Sequence, residues 1–492
     1  MNYQYITTPT QILINEIENN NYCLTPSKYS AFRQNINVPF QTLSSLIKES
    51  VNKKKLKKNV KYFYSEIGDI EVDSGKVNGN LYWGIESPSK SPKAVMENDI
   101  LISTVRTYRG GIGIVNYQEN NHICSPALTV IREVSSEITK EYLLAVLRTS
   151  FFSEQILGFQ NRGIYPRLDK SAMDNILIPI PRNKKIIDYI SVLTKAYNNK
   201  IQLISQKHQK IINIIDSELK NNQKKKSFSI DFPTINEIDS VGRLDTNLYR
   251  EEFKEIDFLI KNYSNGFCTI YDLGFTLSRG QNLQISNIGA SIYSKTYFDN
   301  FYTLILPKFL SKYGTIDTME YIGNPKELKT LKKGDLIFGA EGFEKGRSIV
   351  IIEEKKKAIT NIHGITMQQK EHNVEKAIFV KCCLDYLRNK GMIDLFAVGG
   401  NGGSLAQKYW EHIPFPKFSE DKQLNIVKLY HNKDAKYDTK NWNLNNFIIK
   451  DNEFNKISGI YELDNTAKLL KSRLNIIIDN LINDRQVKIY FE

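Results

Sequence analysis

The chain has 492 residues, with 67 Lys and Arg against 54 Asp and Glu, a formal net charge of +13. That length exceeds one ordinary core and asks for two domains with connecting helices. The positive balance suits a polyanionic partner, although a low-GC coding bias also inflates Lys, Asn and Ile. Cys23, Cys124, Cys268, Cys382 and Cys383 are odd in number and never spaced C-x-x-C, which excludes a disulfide framework or zinc knuckle and predicts reduced, mostly buried thiols. Met1-Asn2-Tyr3-Gln4-Tyr5 lacks the basic and apolar regions of a signal peptide, and no apolar run approaches about 18 residues, so a cytoplasmic protein is expected.

In chain order, an opening segment, Leu24-Thr25-Pro26-Ser27-Lys28-Tyr29, precedes strand signals at 100–105, 112–117 and 127–132, all rich in β-branched residues and broken by Gly or Asn turns. A short helix is predicted at 140–150, then Pro179-Ile180-Pro181 leads into a stretch without Gly or Pro from about Asn183 to Asn221. Apolar or amphipathic residues fall there at 190, 193, 197, 201, 204, 208, 211 and 215, the three-and-four spacing of a helical stripe with one small phase shift. Pro181 is a sensible helix start, because its missing N–H is not needed in the first turn. A rod of about 39 residues would run on the order of 58 Å. Lys224, Lys225 and Lys226 mark a solvated hinge after it.

Beyond the hinge the landmarks return. Leu244-Asp245-Thr246-Asn247-Leu248-Tyr249 follows the first opening segment by 220 residues. Gly334-Asp335-Leu336-Ile337-Phe338 follows Asn98-Asp99-Ile100-Leu101-Ile102 by 236, and Gly364-Ile365-Thr366-Met367 follows Ala127-Leu128-Thr129-Val130 by 237. Pro414-Phe415-Pro416 follows the first Pro-x-Pro by 235. Four landmarks in one order predict two equivalent modules, with further strands at 336–339 and 348–352 and a helix at 374–389. Alternating short strands and helices imply a curved sheet with loops in each module, not a doubly wound nucleotide fold. Near the end, Leu470, Leu474, Ile477 and Leu481 echo the helical stripe, and two such helices can zip together and bury both seams. A single amphipathic helix lying on one domain is the simpler alternative.

Two modules, each with an acidic strand entry (Asp99-Ile100-Leu101 and Asp335-Leu336-Ile337) and each ending in a Pro-x-Pro element before a helix, resemble the specificity subunit of type I restriction-modification systems. The resemblance covers essentially the whole chain through motifs of organisation. It implies an α/β fold: two repeated mixed α/β target-recognition domains separated by long antiparallel coiled-coil helices in a pseudo-twofold arrangement. The corresponding boundaries are 1–182 and 223–417 for the domains, 183–222 for the central helix, and 418–492 for a C-terminal helical region pairing with it. Arg243-Leu244-Asp245 is the closer match to the family's domain opening. Gln423-Leu424-Asn425-Ile426 resembles the start of the family's helix, whereas Lys184 to Ile187 stand there in the first copy without the glutamine. A stretch from about Lys436 to Asp464, rich in Asn and Asp, has no counterpart after the first module and puts the length of the second helix in question.

In that family each domain reads half of a bipartite DNA site. The resemblance further implies two adenine-N6 methyltransferase subunits and endonuclease/translocase subunits as partners. S-adenosylmethionine, ATP and magnesium would sit on those partners, with no cofactor on this chain.

Reading DNA requires cations for phosphates and hydrogen-bonding groups on loops that enter a groove. Arg106-Thr107-Tyr108-Arg109-Gly110-Gly111 follows a strand as a hairpin-like loop, with Arg106, Tyr108 and Arg109 as candidate contacts; a solvated turn has the same composition. Gln160 to Arg167 supplies Asn161, Arg162, Tyr165 and Arg167, whose groups suit base edges. The matching loops of the second copy carry Lys345 and Arg347, then Asn401, Ser404, Gln407 and Lys408, and a third carries Arg279 and Gln281. Lys53-Lys54-Lys55-Leu56-Lys57-Lys58 suits phosphates or a solvated face equally.

Enzymatic readings fit poorly. Asp335 with Glu353-Glu354-Lys355 can be forced into a nuclease-like metal site, but the first copy has no equivalent. No Pro-Pro pair exists for an adenine methyltransferase element, and Gly399 to Gly403 lacks the ending of a phosphate-binding loop. The six histidines show no paired metal-ligand spacing. The expectation is a DNA-recognition subunit without catalysis. The alternatives are a specificity subunit serving a type IIB-like enzyme and a scaffold that binds protein only.

Overall fold

The computed structural model describes residues 4–491 apart from 8, 20, 21, 23, 25–28, 30, 33–37, 50–52, 117, 118, 160–167, 169–172, 174, 226, 231, 355, 356, 400 and 401. The chain divides into two compact units, Met1–Leu203 with Lys436–Lys456 and Leu463–Glu492, and Ile204–Ala435 with Ile457–Glu462.

The first unit carries strands β1 (Phe40–Thr42), β2 (Ile47–Glu49), β3 (Lys61–Ser65), β4 (Asn80–Trp83), β5 (Lys93–Ala94), β6 (Ile100–Ser103), β7 (Ile112–Ile114), β8 (His122–Cys124), β9 (Leu128–Val134) and β10 (Leu177–Pro179). One sheet runs β2-β9-β6-β7, antiparallel throughout. The other runs β4-β3-β8-β5, with β3 and β8 parallel. The uninterrupted apolar run of β6 follows from burial on both faces. Ile100 and Ile102 join a core with the helix Lys140–Leu147, while Leu101 joins Val130, Val115 and Cys124 on the other side. Thr139 caps that helix by accepting the Tyr142 N–H at 3.0 Å. The segment predicted as one helix at 140–150 is broken at Arg148, and a second helix runs Ser150–Phe159.

The long helix spans Lys184–Asn221, within one residue of the expected rod. It starts past Pro181, the expected start: Asn183 Oδ1 accepts the Lys185 N–H at 3.1 Å and so satisfies a donor of the first turn. Every member of the sequence stripe from Ile190 to Ile215 is buried or half-buried.

In the second unit the strands are β11 (Phe267–Cys268), β12 (Phe275–Arg279), β13 (Ile292–Ser294), β14 (Tyr302–Leu304), β15 (Glu320–Gly323), β16 (Leu336–Gly339), β17 (Ser348–Val350), β18 (Ala358–Ile359), β19 (Gly364–Gln369) and β20 (Phe415–Pro416). One sheet runs β12-β19-β16-β17 and the other β13-β15-β14-β18, with β14 and β18 parallel. The first repeats β2-β9-β6-β7 strand for strand, and β16, β17 and β19 each begin 236 residues after β6, β7 and β9. In the second sheet β15-β14-β18 repeats β4-β3-β8, parallel pair included. Only the fourth strand differs, β5 lying beside β8 and β13 beside β15. The closing pairs β1-β10 and β11-β20 also match. Among the described residues each unit thus holds two four-stranded sheets where the sequence suggested one curved sheet. The predicted helix at 374–389 is present as Val374–Asn389, capped by Asn373.

After β20 the chain forms three helices, Glu420–Tyr430, Phe447–Ile457 and Ile460–Ile482, so the expected C-terminal rod is interrupted. The Asn- and Asp-rich stretch supplies the middle one. In the first unit Asp451 from that helix pairs with Lys200 of the long helix at 2.8 Å, both fully buried. Asn455 Oδ1 accepts from the same ammonium at 2.6 Å, and the Tyr437 and Phe454 rings face it at 4.9 and 4.8 Å. The C-terminal stripe, Leu470, Leu474, Ile477 and Leu481, shares one core with Ile187, Ile190 and Leu193. Tyr197 and Lys471 both donate to Asp73 O, at 3.2 and 3.1 Å, and Tyr189 and Arg473 both donate to Tyr490 O, so these helical segments run antiparallel. Among the described residues no helix is long and apolar enough to cross a membrane.

Candidate nucleic-acid interface

In both units the strands β6 and β16 end in a hairpin loop, and in both a later loop returns to it. In the first unit Ser103 N–H donates to Gly111 O at 2.8 Å, closing the loop that the sequence predicted. Arg106 takes a left-handed φ of +50° and Gly110 one of +82°, which aim the short turn Thr107–Arg109. Thr107 is buried and donates to Ser103 O at 2.5 Å, while Tyr108 leans on the apolar core. Arg109 is exposed and Arg106 half-buried. The chain returns at Leu168, whose N–H donates to Thr104 O at 2.8 Å. Asn161, Arg162, Tyr165 and Arg167 lie outside the described residues, on the segment that precedes this return.

The second unit repeats the return, Leu405 N–H donating to Ala340 O at 2.9 Å. Its loops are further laced together. Gly342 N–H donates to Gly403 O at 3.2 Å, and Gly402 lies so close to Gly342 that a Cβ would come within 2.8 Å of the Gly342 carbonyl carbon. Lys345 donates to Gly402 O at 2.6 Å and pairs with Asp394 at 2.5 Å. Arg347 donates to Leu310 O at 2.8 Å and pairs with Glu344. Both cations named from the sequence are therefore engaged in holding the loop, with Lys345 buried. Asn401 lies outside the described residues. Ser404 is half-buried, its backbone exchanging hydrogen bonds with Val398 at 2.8 and 3.0 Å. Lys408 is exposed, 4.9 Å from the Tyr409 ring centre.

Arg279 ends β12 beside these loops, donating to Glu341 at 3.1 Å and Ile362 O at 3.2 Å. His363 Nδ1 meets the other Glu341 oxygen at 2.6 Å. Gln281 is fixed through its backbone, its N–H donating to Thr360 O at 2.7 Å, and with Arg279, Asn282 and Lys329 it lines a shallow polar cleft. Sequence reading missed Glu341, Phe343 and His363; the available signal was an aromatic and two titratable groups immediately outside strand ends. Of the Lys53 to Lys58 run, Lys53, Lys55, Lys57 and Lys58 are exposed, and nearby Lys61 covers Trp83 at 4.8 Å.

Asp335 caps its own turn through Oδ2, which accepts the Lys332 N–H at 2.8 Å and a bond from Gln368 at 3.1 Å. Cys124, Cys268, Cys382 and Cys383 are free and buried, and burial pushes the Cys124 and Cys382 thiols up to about 12.

Comparison with known proteins shows what this chain is similar to. Residues 14–213 match the family model described as the type I restriction modification DNA specificity domain. The type I restriction enzyme HindI specificity subunit of Haemophilus influenzae is 23% identical over 163 residues, covering 31% of this chain and 35% of the relative. That match spans about a third of the relative's length. Among solved structures, the HsdS subunit from Thermoanaerobacter tengcongensis aligns over 92% of this chain and 99% of its own, at 15% identity and a TM-score of 0.31. The type I restriction-modification S subunit from M. genitalium aligns over 93% and 98%, at 14% identity and a TM-score of 0.44. Residues 14–213 thus match a type I restriction modification DNA specificity domain, and the chain is similar to specificity subunits of type I restriction-modification systems.

Proposed function

We propose that this chain is the non-catalytic DNA-recognition subunit of a type I restriction-modification complex and acts in the cytoplasm. Each unit reads one half of a bipartite site through its paired loops, and the long helix fixes the gap. Recognition domains of residues 1–182 and 223–417, joined by 183–222 and followed by the helical region 418–492, are the proposed functional divisions. Two adenine-N6 methyltransferase subunits and the endonuclease subunits dock on it, bringing S-adenosylmethionine, ATP and magnesium. The observation that carries this reading is the repeated β2-β9-β6-β7 and β12-β19-β16-β17 topology, each ending in a hairpin loop met by a returning loop.

The test is an exchange of residues 1–182 for another such domain, followed by methylation-aware sequencing of host DNA. One half of the methylated sequence should change and the other persist. Change in both halves, or in neither, contradicts the reading. A protein-only scaffold would show no steep salt dependence of duplex binding and no preference for a split site.

A further inference from the structure

Phe343 stands at the tip of the second unit's hairpin loop with 85% of its surface exposed. An isolated exposed apolar side chain needs no explanation on a mobile loop. This loop is held from several directions. Lys345 and Gly342 tie it to the glycine loop, Glu344 pairs with Arg347 and Arg388, and Gly346 N–H donates to Gly339 O at 2.8 Å. Such lacing keeps Phe343 out of the core, to which the adjacent Phe338 and Trp410 contribute. Around its base stand polar groups able to face a duplex: Arg279, Glu341 and the exposed His363, with exposed Lys408 on the segment after the returning loop. The residue 236 positions earlier is Thr107, which is buried, so the first unit offers no exposed ring at that position.

We infer that Phe343 is a specificity-determining residue of the second unit, contacting the apolar surface of a base in its half-site, with Glu341 held by Arg279 and His363 as the adjacent acceptor. Two apolar base surfaces satisfy this chemistry: the 5-methyl of a thymine in the major groove, or a base face uncovered when a side chain wedges into a step. The inference rests on the DNA-reading role proposed above and names one residue within it.

The test uses full-length chain assembled with its methyltransferase subunits, as wild type, Phe343→Ala and Phe343→Leu. Because the side chain is exposed, all three should fold and assemble alike. Duplexes carrying the methylated site are prepared with each thymine of the second half-site replaced singly by deoxyuridine, and separately with 2-aminopurine at each adenine. Phe343→Ala should weaken specific binding roughly tenfold and relax one position of the second half-site only, the size of one lost base contact. If the partner is a thymine methyl, one deoxyuridine weakens the wild type and leaves Phe343→Ala unaffected. If it is a base face, 2-aminopurine brightens at one step with the wild type and not with Phe343→Ala, and Phe343→Leu retains part of the effect. Unchanged affinity and an unchanged second half-site in Phe343→Ala would overturn the inference while leaving the DNA-reading role intact. Loss of methyltransferase assembly in that variant would also overturn it, making Phe343 a protein contact. Absence of specific duplex binding by the wild type would instead defeat the broader reading.

Discussion

Arg132 grips Asp99 with two hydrogen bonds, Nε to Oδ1 at 3.1 Å and Nη2 to Oδ2 at 2.8 Å, and 236 residues later Gln368 donates to Asp335 Oδ2 at 3.1 Å. Both aspartates are buried, and both cap the turn before a central strand, accepting the Met96 and Lys332 N–H groups at 2.8 Å. The turn thus needs a carboxylate, while the partner across the sheet is negotiable. Arg132 does one thing more: its Nη2 donates to Ala94 O at 3.1 Å, tying the β9 sheet to β5 of the other sheet.

Arg132→Ala leaves a buried carboxylate without its cation and should cost the first unit about 3 kcal/mol. Arg132→Gln recreates the arrangement of the second unit and should cost about 1 kcal/mol, one charge-assisted bond exchanged for a neutral one. Urea unfolding of the three proteins decides this. Equal losses for the two variants would show that the repeat does not extend to this pair.

A second repeated device concerns two glycines. Gly75 and Gly314 both have left-handed φ, +72° and +80°. Against them lie the ends of two cationic side chains, Arg148 just past the helix Lys140–Leu147 and Lys381 within Val374–Asn389. Arg148 donates to Val72 O, Asp73 O and Ile112 O at 3.0, 2.8 and 3.2 Å, and Lys381 donates to Tyr313 O at 2.8 Å. A Cβ on Gly75 would fall 1.4 Å from Arg148 Nη1, and one on Gly314 2.1 Å from Lys381 Cε. Gly75→Ala and Gly314→Ala should each destabilise by about 3 kcal/mol, combining the left-handed strain with displaced cations over carbonyls they no longer satisfy. Gly274→Ala, with φ +82° but open space around it, should cost only about 1 kcal/mol. Thermal unfolding of the three variants supplies the comparison.

The parts of the fold legible in the sequence are those that local pattern dictates. Leu336–Gly339 and Val374–Asn389 match their predicted bounds, and the long helix differs by a residue, because runs of buried apolar residues and three-and-four spacing are local signals. The second sheet of each unit escaped notice. Its strands β3, β8, β14 and β18 are short, carry Tyr, His and Ser, and depend on a parallel pairing between segments tens of residues apart. The Asn- and Asp-rich stretch was opaque for a related reason. The buried Lys200–Asp451 pair that anchors it joins residues 251 positions apart, which no window reveals. At the candidate interface, loop positions were legible and side-chain duties were not. Lys345 and Arg347 are cations next to glycines, as a phosphate-binding residue would be, yet their partners are Gly402 O and Leu310 O.

His122 gives the first unit a pH dependence. Ser65 Oγ gives its hydrogen to Asn78 O at 2.6 Å, so His122 Nε2–H must be the donor in the 2.9 Å bond between His122 and Ser65. Nδ1 is buried with no hydrogen-bond partner among the described residues. Burial lowers the His122 pKa from 6.5 to about 4, so the folded state resists a proton that the unfolded chain accepts. The stability this confers is complete above pH 6.5 and is lost as pH falls through that value toward 4. Between pH 7 and pH 5 the loss should approach about 2 kcal/mol, read by native-state hydrogen exchange at the amides of β3 and β8. His122→Gln, which keeps the donor and cannot be protonated, should flatten this profile; an unchanged slope in that variant would assign the effect to other groups.

The exposed and buried cations of the loops should separate in their effects on DNA. Arg109 and Lys408 face solvent, and in the proposed role they meet phosphates. Arg109→Ala and Lys408→Ala should leave unfolding unaltered, weaken binding to specific and nonspecific duplexes alike, and each reduce the slope of log affinity against log salt by about 1. Lys345→Met should behave oppositely. Its ammonium is buried between Gly402 O and Asp394, so its removal should destabilise the second unit by about 2 kcal/mol. The salt slope should stay unchanged, because that charge is already neutralised within the protein. Specificity for the second half-site should suffer, since Lys345 holds the two loops together. Titrations of the complex at several salt concentrations, paired with urea unfolding, resolve the two behaviours. A salt slope that falls in Lys345→Met as it does in Arg109→Ala would mean that the buried cation leaves its internal partners to meet DNA.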